Sequence, residues 1–373
     1  MTGDILIVGG GIAGLTAATA LARKGINTVL IERKERLADE GGIGLSLLAN
    51  AMRALDTIGV AERCVAAGIP GDSLLMCKPD GSLHFKNPIA RIDGLNWAGA
   101  TGISRPAFHA ILAEAALDAG VDIRCGLTVR AWEEQEDALA VTFSDESVGR
   151  FALMVGADGL YSGTRARLFP DCRPMATGQV AWRGACVRPA GVDLTHLYFG
   201  GRHGVVGVNP VSPSLAYIYI VENALDGARP DPATLHMQLR ERLEGYGGLA
   251  AQLAATLDDP AKVSCRPLEW LLAPAPWSKD RVVLIGDAAH ANPPVLAQGA
   301  AMGIEDAIVL GEEVAAGGPV EAALARFASR RYDRVKFVVE TSVQLAQWEV
   351  DHTPGVDVPG VMRAASTRLS EPI

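Results

Sequence analysis

The sequence predicts an α/β fold assembled from a discontinuous α/β domain, an inserted mixed β-sheet and C-terminal helices. Three observations predict it. An apolar run, a triple glycine and an Ala/Leu-rich run open the chain. Two further apolar runs, each leading into glycine and aspartate, recur near residues 155 and 285. The stretches between them are rich in β-branched and turn-forming residues.

Asp4–Val8 is a short continuous apolar run, as expected of a strand covered on both faces. Leu15–Lys24 reads as a helix ended by Gly25, and Thr28–Glu32 as the next strand, which completes one βαβ unit. Ala49–Leu55 and Ala107–Ala119 read as helices. Ser73 to Trp97 turns strand-like, with Pro79-Asp80-Gly81 a hairpin turn. Val121–Phe143 alternates like strands, and Leu153–Ala157 is another apolar strand. Several short strands are expected between Gly178 and Val221, among them Val205–Val208 and Leu215–Val221. Ala233–Leu257 reads as helix, Arg281–Ile285 as strand and Gly299–Val314 as a long helix. Glu321 to about Trp348 is mostly helical, and the tail after Thr353 reads as irregular. The expected division is one cofactor domain from 1–72, 100–176 and 268–340, a substrate-binding sheet from 73–99 and 177–267, and a C-terminal helical segment and tail from 341–373.

Of the 373 residues, 49% are hydrophobic and 21% charged, an ordinary globular balance. The formal net charge of −9 argues against nucleic acid or an anionic membrane as partner. The six cysteines include no CxxC pair and no zinc spacing, so reduced thiols, a cytoplasmic setting and no metal are expected. The apolar N-terminal run lacks a basic segment and a cleavage site and is broken by glycines, so it reads as strand–turn–helix rather than signal peptide. No apolar stretch is long enough for a transmembrane helix.

Gly9-Gly10-Gly11-Ile12-Ala13-Gly14 fits GxGxxG between a strand and a helix, the Rossmann-type fingerprint. Gly9 permits the tight turn, Gly11 lets the backbone approach a pyrophosphate, and Gly14 allows close helix–strand packing. The helix N-terminus then faces phosphates with its free N–H groups. Glu32 ends the second strand at about the 20-residue distance expected of an acid that accepts ribose hydroxyls, with Arg33 beside it. This motif alone does not separate FAD from NAD.

Two later motifs do. Val155-Gly-Ala-Asp158-Gly159, followed by Ser162 and Arg165, lies mid-chain. Gly286-Asp287-Ala-Ala-His290, followed by Pro293-Pro294 and Gln298-Gly299, lies late. With these in order the chain resembles the group A flavoprotein aromatic hydroxylases over nearly its whole length. That family includes para-hydroxybenzoate, salicylate, 6-hydroxynicotinate and urate hydroxylases. The resemblance implies bound FAD, with NADH or NADPH and O2 as co-substrates. It implies that Asp287, next to Gly286, bonds ribityl or ribose hydroxyls, and that Asp158 sits near the pyrophosphate in a segment also associated with NAD(P)H. Arg105 matches an arginine that reaches the FAD, and Val129 a position whose backbone meets the adenine. Gly44-Leu45-Ser46, ahead of Asn50, matches the loop alongside the isoalloxazine. Backbone N–H groups from Leu296 to Ala300, including Ala297 and Gly299, would face the flavin N1–C2=O edge. Ala297 departs from the usual glycine of a GQG triplet, a variant carried by pyridine-ring members and a hint toward heteroaromatic substrates. Simpler readings stand beside these. Asp158 could cap the following helix, Arg105 could be a surface ion pair, and His290 and His109 could be structural.

The resemblance implies that the oxidant is a flavin C4a-hydroperoxide and that the protein positions the ring and excludes water. No catalytic acid or base of the usual kind is therefore expected, and no GxSxG is present. Candidate substrate contacts are Arg183, Arg202, His203, Tyr217, Tyr219, Pro293 and Pro294. Tyr217 and Tyr219 share one face of a strand, though which face is open. Ser46 replaces a histidine proposed as base in a pyridine hydroxylase relative. The reading is an NAD(P)H-dependent monooxygenase acting on a small phenolic, pyridine or purine-like ring, with homodimerisation by family habit. The alternatives are a reductase, dehydrogenase or halogenase on the same fold, and a non-catalytic FAD-binding subunit. Against the halogenase, no WxWxI is present and Trp182 is followed by Arg183-Gly184.

Overall fold

A computed structural model describes residues 3–37, 42–224 and 230–373. β1 (Ile5–Val8), α1 (Ile12–Ala22) and β2 (Thr28–Glu32) form the opening unit. β3 (Gly44–Leu48), α2 (Ala49–Thr57), α3 (Ala61–Ala67) and β4 (Ile69–Gly71) follow, then the hairpin β5 (Ser73–Cys77) and β6 (Leu83–Pro88). β7 (Ala100–Ser104) leads into α4 (Arg105–Asp118) and β8 (Asp122–Cys125). A meander of β9 (Val129–Glu134), β10 (Leu139–Phe143) and β11 (Val148–Phe151) precedes β12 (Leu153–Gly156) and α5 (Gly163–Leu168). β13 (Met175–Val187), β14 (Thr195–Tyr198), β15 (Val205–Pro210) and β16 (Leu215–Asn223) come next. They are followed by α6 (Leu235–Arg242), α7 (Gly248–Ala254) and β17 (Val263–Leu272). The short strands β18 (Ser278–Lys279), β19 (Val282–Leu284) and β20 (His290–Ala291) lead to α8 (Gly299–Ala315), α9 (Val320–Val350) and α10 (Val358–Ser370).

The strands form a six-stranded sheet ordered β18-β19-β12-β1-β2-β8, an eight-stranded sheet ordered β20-β17-β13-β16-β15-β14-β5-β6, and two three-stranded sheets. β19, β12, β1, β2 and β8 run parallel. In the large sheet β14 and β5 pair parallel among antiparallel neighbours, so it is mixed. β1 is buried along its whole length, as a central parallel strand must be. α1 is buried from Gly14 to Leu21, and its run of Ala lets it pack closely against α8. Among the described residues no helix is long and apolar enough to cross a membrane.

The structure differs from expectation in four places. The several strands expected after Gly178 are present as β14, β15 and β16, but they are led by β13, a strand of 13 residues that is longer than expected. The helix expected over Ala233–Leu257 is broken into α6 and α7. Gly245 and Gly248 there take positive φ, and a Cβ on Gly247 would lie 2.1 Å from the Asp80 carbonyl oxygen. The glycines thus let the 79–81 turn dock directly on the break. The tail is not irregular, because α10 spans thirteen residues of it. Asp357 accepts from the Gly360 N–H at its start, and Pro359 sits in the first turn, where a missing N–H costs nothing. Finally, the divisions expected at 267/268 and 340/341 fall inside the unbroken β17 and α9.

The core holds a charged network. Arg331 of α9 is 0% exposed, as are Glu305 and Asp306 of α8. Arg331 donates to Glu305 Oε2 at 2.7 Å and to Asp306 Oδ1 at 2.8 Å. Asp306 Oδ2 also meets His290 Nε2 at 2.6 Å and accepts the Gly286 N–H at 3.0 Å. Glu305 further accepts from Arg334 twice and from Asn50 Nδ2 at 2.9 Å. Burial alone would raise the Asp306 carboxyl, but His290, Arg331 and the Gly286 N–H hold it down at about 2. Replacing Arg331 by Leu takes a buried cationic partner from each of two buried carboxylates, and the expected loss is about 3–5 kcal/mol of unfolding free energy. Urea titration with an unchanged slope measures it, and a loss below about 1 kcal/mol would mean that the network relaxes around the gap.

Candidate active site

Parallel pairing sets Val8 opposite both Ile31 and Gly156, and Gly156 opposite Leu284. The three motifs therefore leave the sheet side by side at its C-terminal edge, where open α/β sheets bind ligands. Gly14 packs so closely that a Cβ there would lie 2.0 Å from the Gly9 carbonyl oxygen. Gly11 is the opposite case: its Cβ would meet nothing within 4 Å, and the residue lines a cavity. Glu32 Oε2 accepts the Gly10 N–H at 2.9 Å, and buried His109 meets the Gly10 carbonyl at 2.7 Å. The glycine turn is thus held from β2 and from α4, and His109 has the structural role.

That cavity has a volume of about 2380 Å³ and lies between the motif edge and the large sheet. Small-molecule pockets are commonly about 300–1,000 Å³, so it has room for a dinucleotide-sized group and a second molecule. On the motif side it is lined by Gly11, Ile12 and Ala13, by Gly44, Leu45 and Ser46, and by Arg105, Gly286 and Asp287. The exposed surface of Asp287 opens into this cavity, whose surroundings raise its carboxyl above the usual carboxylate range, with His290 and Arg105 acting against the shift.

Ala297, Gly299 and Ala300 line the same cavity at the start of α8. Ala297 takes the left-handed conformation, φ 53° and ψ 30°, which explains why glycine is usual there. α8 has no side-chain cap, so its first N–H groups remain available. The Gln298 side chain is turned away into a reciprocal amide pair with Asn50, at 3.0 and 3.3 Å. Pro294 lines the cavity, and Pro293 is buried behind it.

Across the cavity stands the face of the large sheet that carries Arg183, Tyr217 and Tyr219. Arg183 on β13 pairs in register with Tyr219 on β16 and with Ser264 on β17. Burial raises both tyrosine hydroxyls above their usual range, so they stay protonated. Buried Asn209 was missed in the sequence. Its Nδ2 donates to Ser46 Oγ at 3.0 Å and to Tyr217 Oη at 3.3 Å, while its Oδ1 accepts from Thr195. The one signal for it was a polar residue closing the apolar run Val205–Val208.

Two expected substrate contacts lie elsewhere. Arg202 is exposed in the loop between β14 and β15. His203 meets Glu222 Oε2 at 3.1 Å, and Glu222 Oε1 also accepts from Trp182 and Arg242. That cluster serves the packing of α6 against the sheet. Asp158 accepts from Ser162 Oγ, Thr164 N and Thr164 Oγ1, so it caps α5. Arg33 is exposed, and the side chain of Val129 packs against the core cluster between the six-stranded sheet and the β9–β11 meander. His290 is 1% exposed and bound to Asp306, a structural position.

The family described as "FAD binding domain" matches residues 2–342. The chain belongs to this family. It is an FAD-dependent monooxygenase, of the group A type that the three motifs resemble. It is 33% identical to an aurachin C monooxygenase/isomerase of Stigmatella aurantiaca, over 92% of this chain and 90% of that protein. It is 32% identical to a 2-heptyl-3-hydroxy-4(1H)-quinolone synthase of Pseudomonas aeruginosa, with the same coverage of each. Among solved structures, Klebsiella pneumoniae HpxO complexed with FAD and uric acid shares the fold, with TM-score 0.83 and 24% identity over 99% of this chain and 93% of that one.

Two substitutions test the motif side of this flavoprotein's cavity. Gly11→Val fills the open space, and the protein is expected to lose its visible flavin absorbance while keeping its far-ultraviolet dichroism. Retained flavin would show that the space at Gly11 is not used. Ala297→Gly relieves the left-handed alanine and should raise unfolding free energy by about 0.5–1 kcal/mol. Unchanged or lower stability in urea titration would refute that.

Proposed function

We propose that this monooxygenase uses NADH or NADPH and O2 to hydroxylate a small aromatic or heteroaromatic ring held between the flavin and the Arg183–Tyr217–Tyr219 face. The observation that carries this reading is the single cavity shared by the three flavin motifs and that polar sheet face. The residues present fit FAD. Gly11 leaves backbone open to a pyrophosphate, Asp287 offers a carboxylate to hydroxyls, and the uncapped start of α8 offers N–H donors. Gly44, Leu45, Ser46 and Arg105 would border the ring system from the other side. Gly10, Glu32, Asp158 and Val129 would support the adenosine end from behind the motif turns. When bound, FAD supplies the redox chemistry, taking electrons from NAD(P)H and passing one atom of O2 to the ring.

The protein's own residues orient and protect. Tyr217 is held by Asn209, which is also held to Ser46, so one amide fixes the donor wall relative to the flavin loop. Because burial keeps the phenol protonated, Tyr217 can donate to a ring oxygen or nitrogen at neutral pH. Leu74, Met76, Leu197, Leu215 and Val221 line the cavity with apolar surface that favours a dry, flat ligand. The quinolone in the name of one relative and the uric acid bound by HpxO support a heteroaromatic ring.

The assay uses FAD-loaded protein in air with NADH or NADPH and a panel of hydroxylated benzoates, pyridines, purines and quinolones. At least one ring should stimulate cofactor oxidation and gain one oxygen by mass. Stimulation that yields only hydrogen peroxide with every member, or none at all, would remove this reading. With the ring so identified, Tyr217→Phe should lower kcat/KM by about ten-fold, the worth of one buried hydrogen bond.

A further inference from the structure

The cavity has a third wall, which neither the flavin motifs nor the large sheet supplies. It is built from the turn Pro294–Leu296, the end of α9 and the helix α10. On α10, Val358, Met362, Ala365 and Leu369 recur at helical spacing, so they form one stripe. All four line the cavity. Leu345 and Trp348, one turn apart on α9, line it beside them. Leu296 joins this end of the cavity to Ala297 at the start of α8. Except for Leu369, these side chains belong to a single apolar cluster.

α10 also has attachments outside that stripe. Arg334 donates to the carbonyls of Arg368 and Leu369 at 3.2 and 2.7 Å, and Arg53 to those of Ser370 and Glu371 at 2.9 and 2.7 Å. Arg334 is itself bound to Glu305, so this clamp belongs to the buried network that sets the start of α8. The Arg368 guanidinium lies 4.2 Å over the Phe337 ring of α9. With the helix so held, Val358 and Met362 stay half-buried and open on the cavity.

The polar groups at this end do not call for a polar ligand. Glu349 accepts from Gln179, the Ser370 hydroxyl donates to the Thr367 carbonyl, and Arg363, Ser366 and Thr367 are exposed at the rim. From Val358 to Leu369 the stripe extends about 16 Å along the helix, more than a methyl or ethyl group would use. Methionine is unbranched and adapts to a flexible neighbour. A group bound here gains by leaving water.

We propose that this annex takes a hydrocarbon chain carried by the aromatic substrate, with the ring between the flavin motifs and the sheet face and the chain along α10. The ring rests on the hydroxylase reading above, whereas the apolar annex does not. The substrate class is then a ring with an unbranched aliphatic substituent, rather than a bare hydroxybenzoate or purine. The chain supplies binding free energy away from the reacting carbon and fixes which edge of the ring faces the flavin.

The test follows binding to FAD-loaded protein by titration calorimetry. The ligands are 2-alkyl-4-quinolones and 4-alkylresorcinols with methyl, propyl, pentyl and heptyl chains, and the ring-free pair 1-hexanol and 1-decanol. Heptyl should bind at least about ten-fold more tightly than methyl in one ring series, and decanol than hexanol by the same margin, since each buried methylene adds to affinity. Met362→Glu places a charge against the chain and should cut each gain to less than about three-fold. Met362→Leu, of similar volume, should keep it. Flavin content and circular dichroism show that each variant folds. If the gain stays below about ten-fold in every series, or survives in Met362→Glu, the inference is overturned. Product analysis separates the two readings. Oxygenated product from short homologues without a gain from the chain removes the annex and leaves the hydroxylase. A Met362-dependent gain from the chain without oxygenated product does the reverse.

Discussion

The site depends on one buried guanidinium. Arg331 reaches from α9 into the space between α8 and the motif edge, and its two carboxylate partners carry its influence outward. Asp306 passes it to the Gly286 N–H, the residue before Asp287, and to His290. Glu305 passes it to Asn50, whose amide pairs with Gln298 at the start of α8. Removing three charges from water is costly, and apolar side chains of the same volume could hold the helices together as well. They could not aim a backbone N–H or turn Gln298 aside. We read the network as fixing direction: it sets the Gly286–Asp287 turn and the α8 N-terminus relative to each other along the wall of the cavity.

The far wall is tied to the same frame by small contacts. Gly44 and Gly102, on β3 and β7, approach Val211 and the Pro210 carbonyl so closely that Cβ atoms there would fall 2.6 and 2.2 Å away. The Ser104 N–H donates to the Val211 carbonyl, and Asn209 bonds Ser46. The sheet that carries Tyr217 is thereby joined to β3, which carries Ser46, within two residues along each chain segment. This junction therefore fixes the spacing of the two cavity walls.

Local motifs were legible because their chemistry is local. A tight turn, an open backbone and a packed helix start each need glycine at a given step, so Gly9, Gly11 and Gly14 announce themselves. Asp287 stands out within such a motif, and it lines the cavity. Asn209 was not, since its partner Ser46 is 163 residues away and nothing near it signals a bridge. Arg331 sits in a helix with Arg326, Arg330 and Arg334, and the sequence does not distinguish the one that turns inward. The tail was misread because Pro354, Gly355, Pro359 and Gly360 look like breakers. Pro359 instead lies in the first turn of α10, after an Asp357 cap.

The two faces of β16 show why strand faces are hard to assign here. β16 is covered on both sides, by the cavity wall on one and by the cluster under α6 and α7 on the other, so its burial does not alternate. A period of two tells inside from outside only when one face is wet. Tyr217 and Tyr219 could be placed on one face from spacing alone, but which face required the register with Arg183. The same double coverage explains how the sheet can hold a buried charged cluster, Glu222 with Arg242 and His203, on one side and a donor-rich wall on the other. Glu222 lies three residues from Tyr219 along β16, so opposite faces of one strand separate a satisfied arginine from an unsatisfied one. That contrast arises within one sheet, from the two faces of one strand.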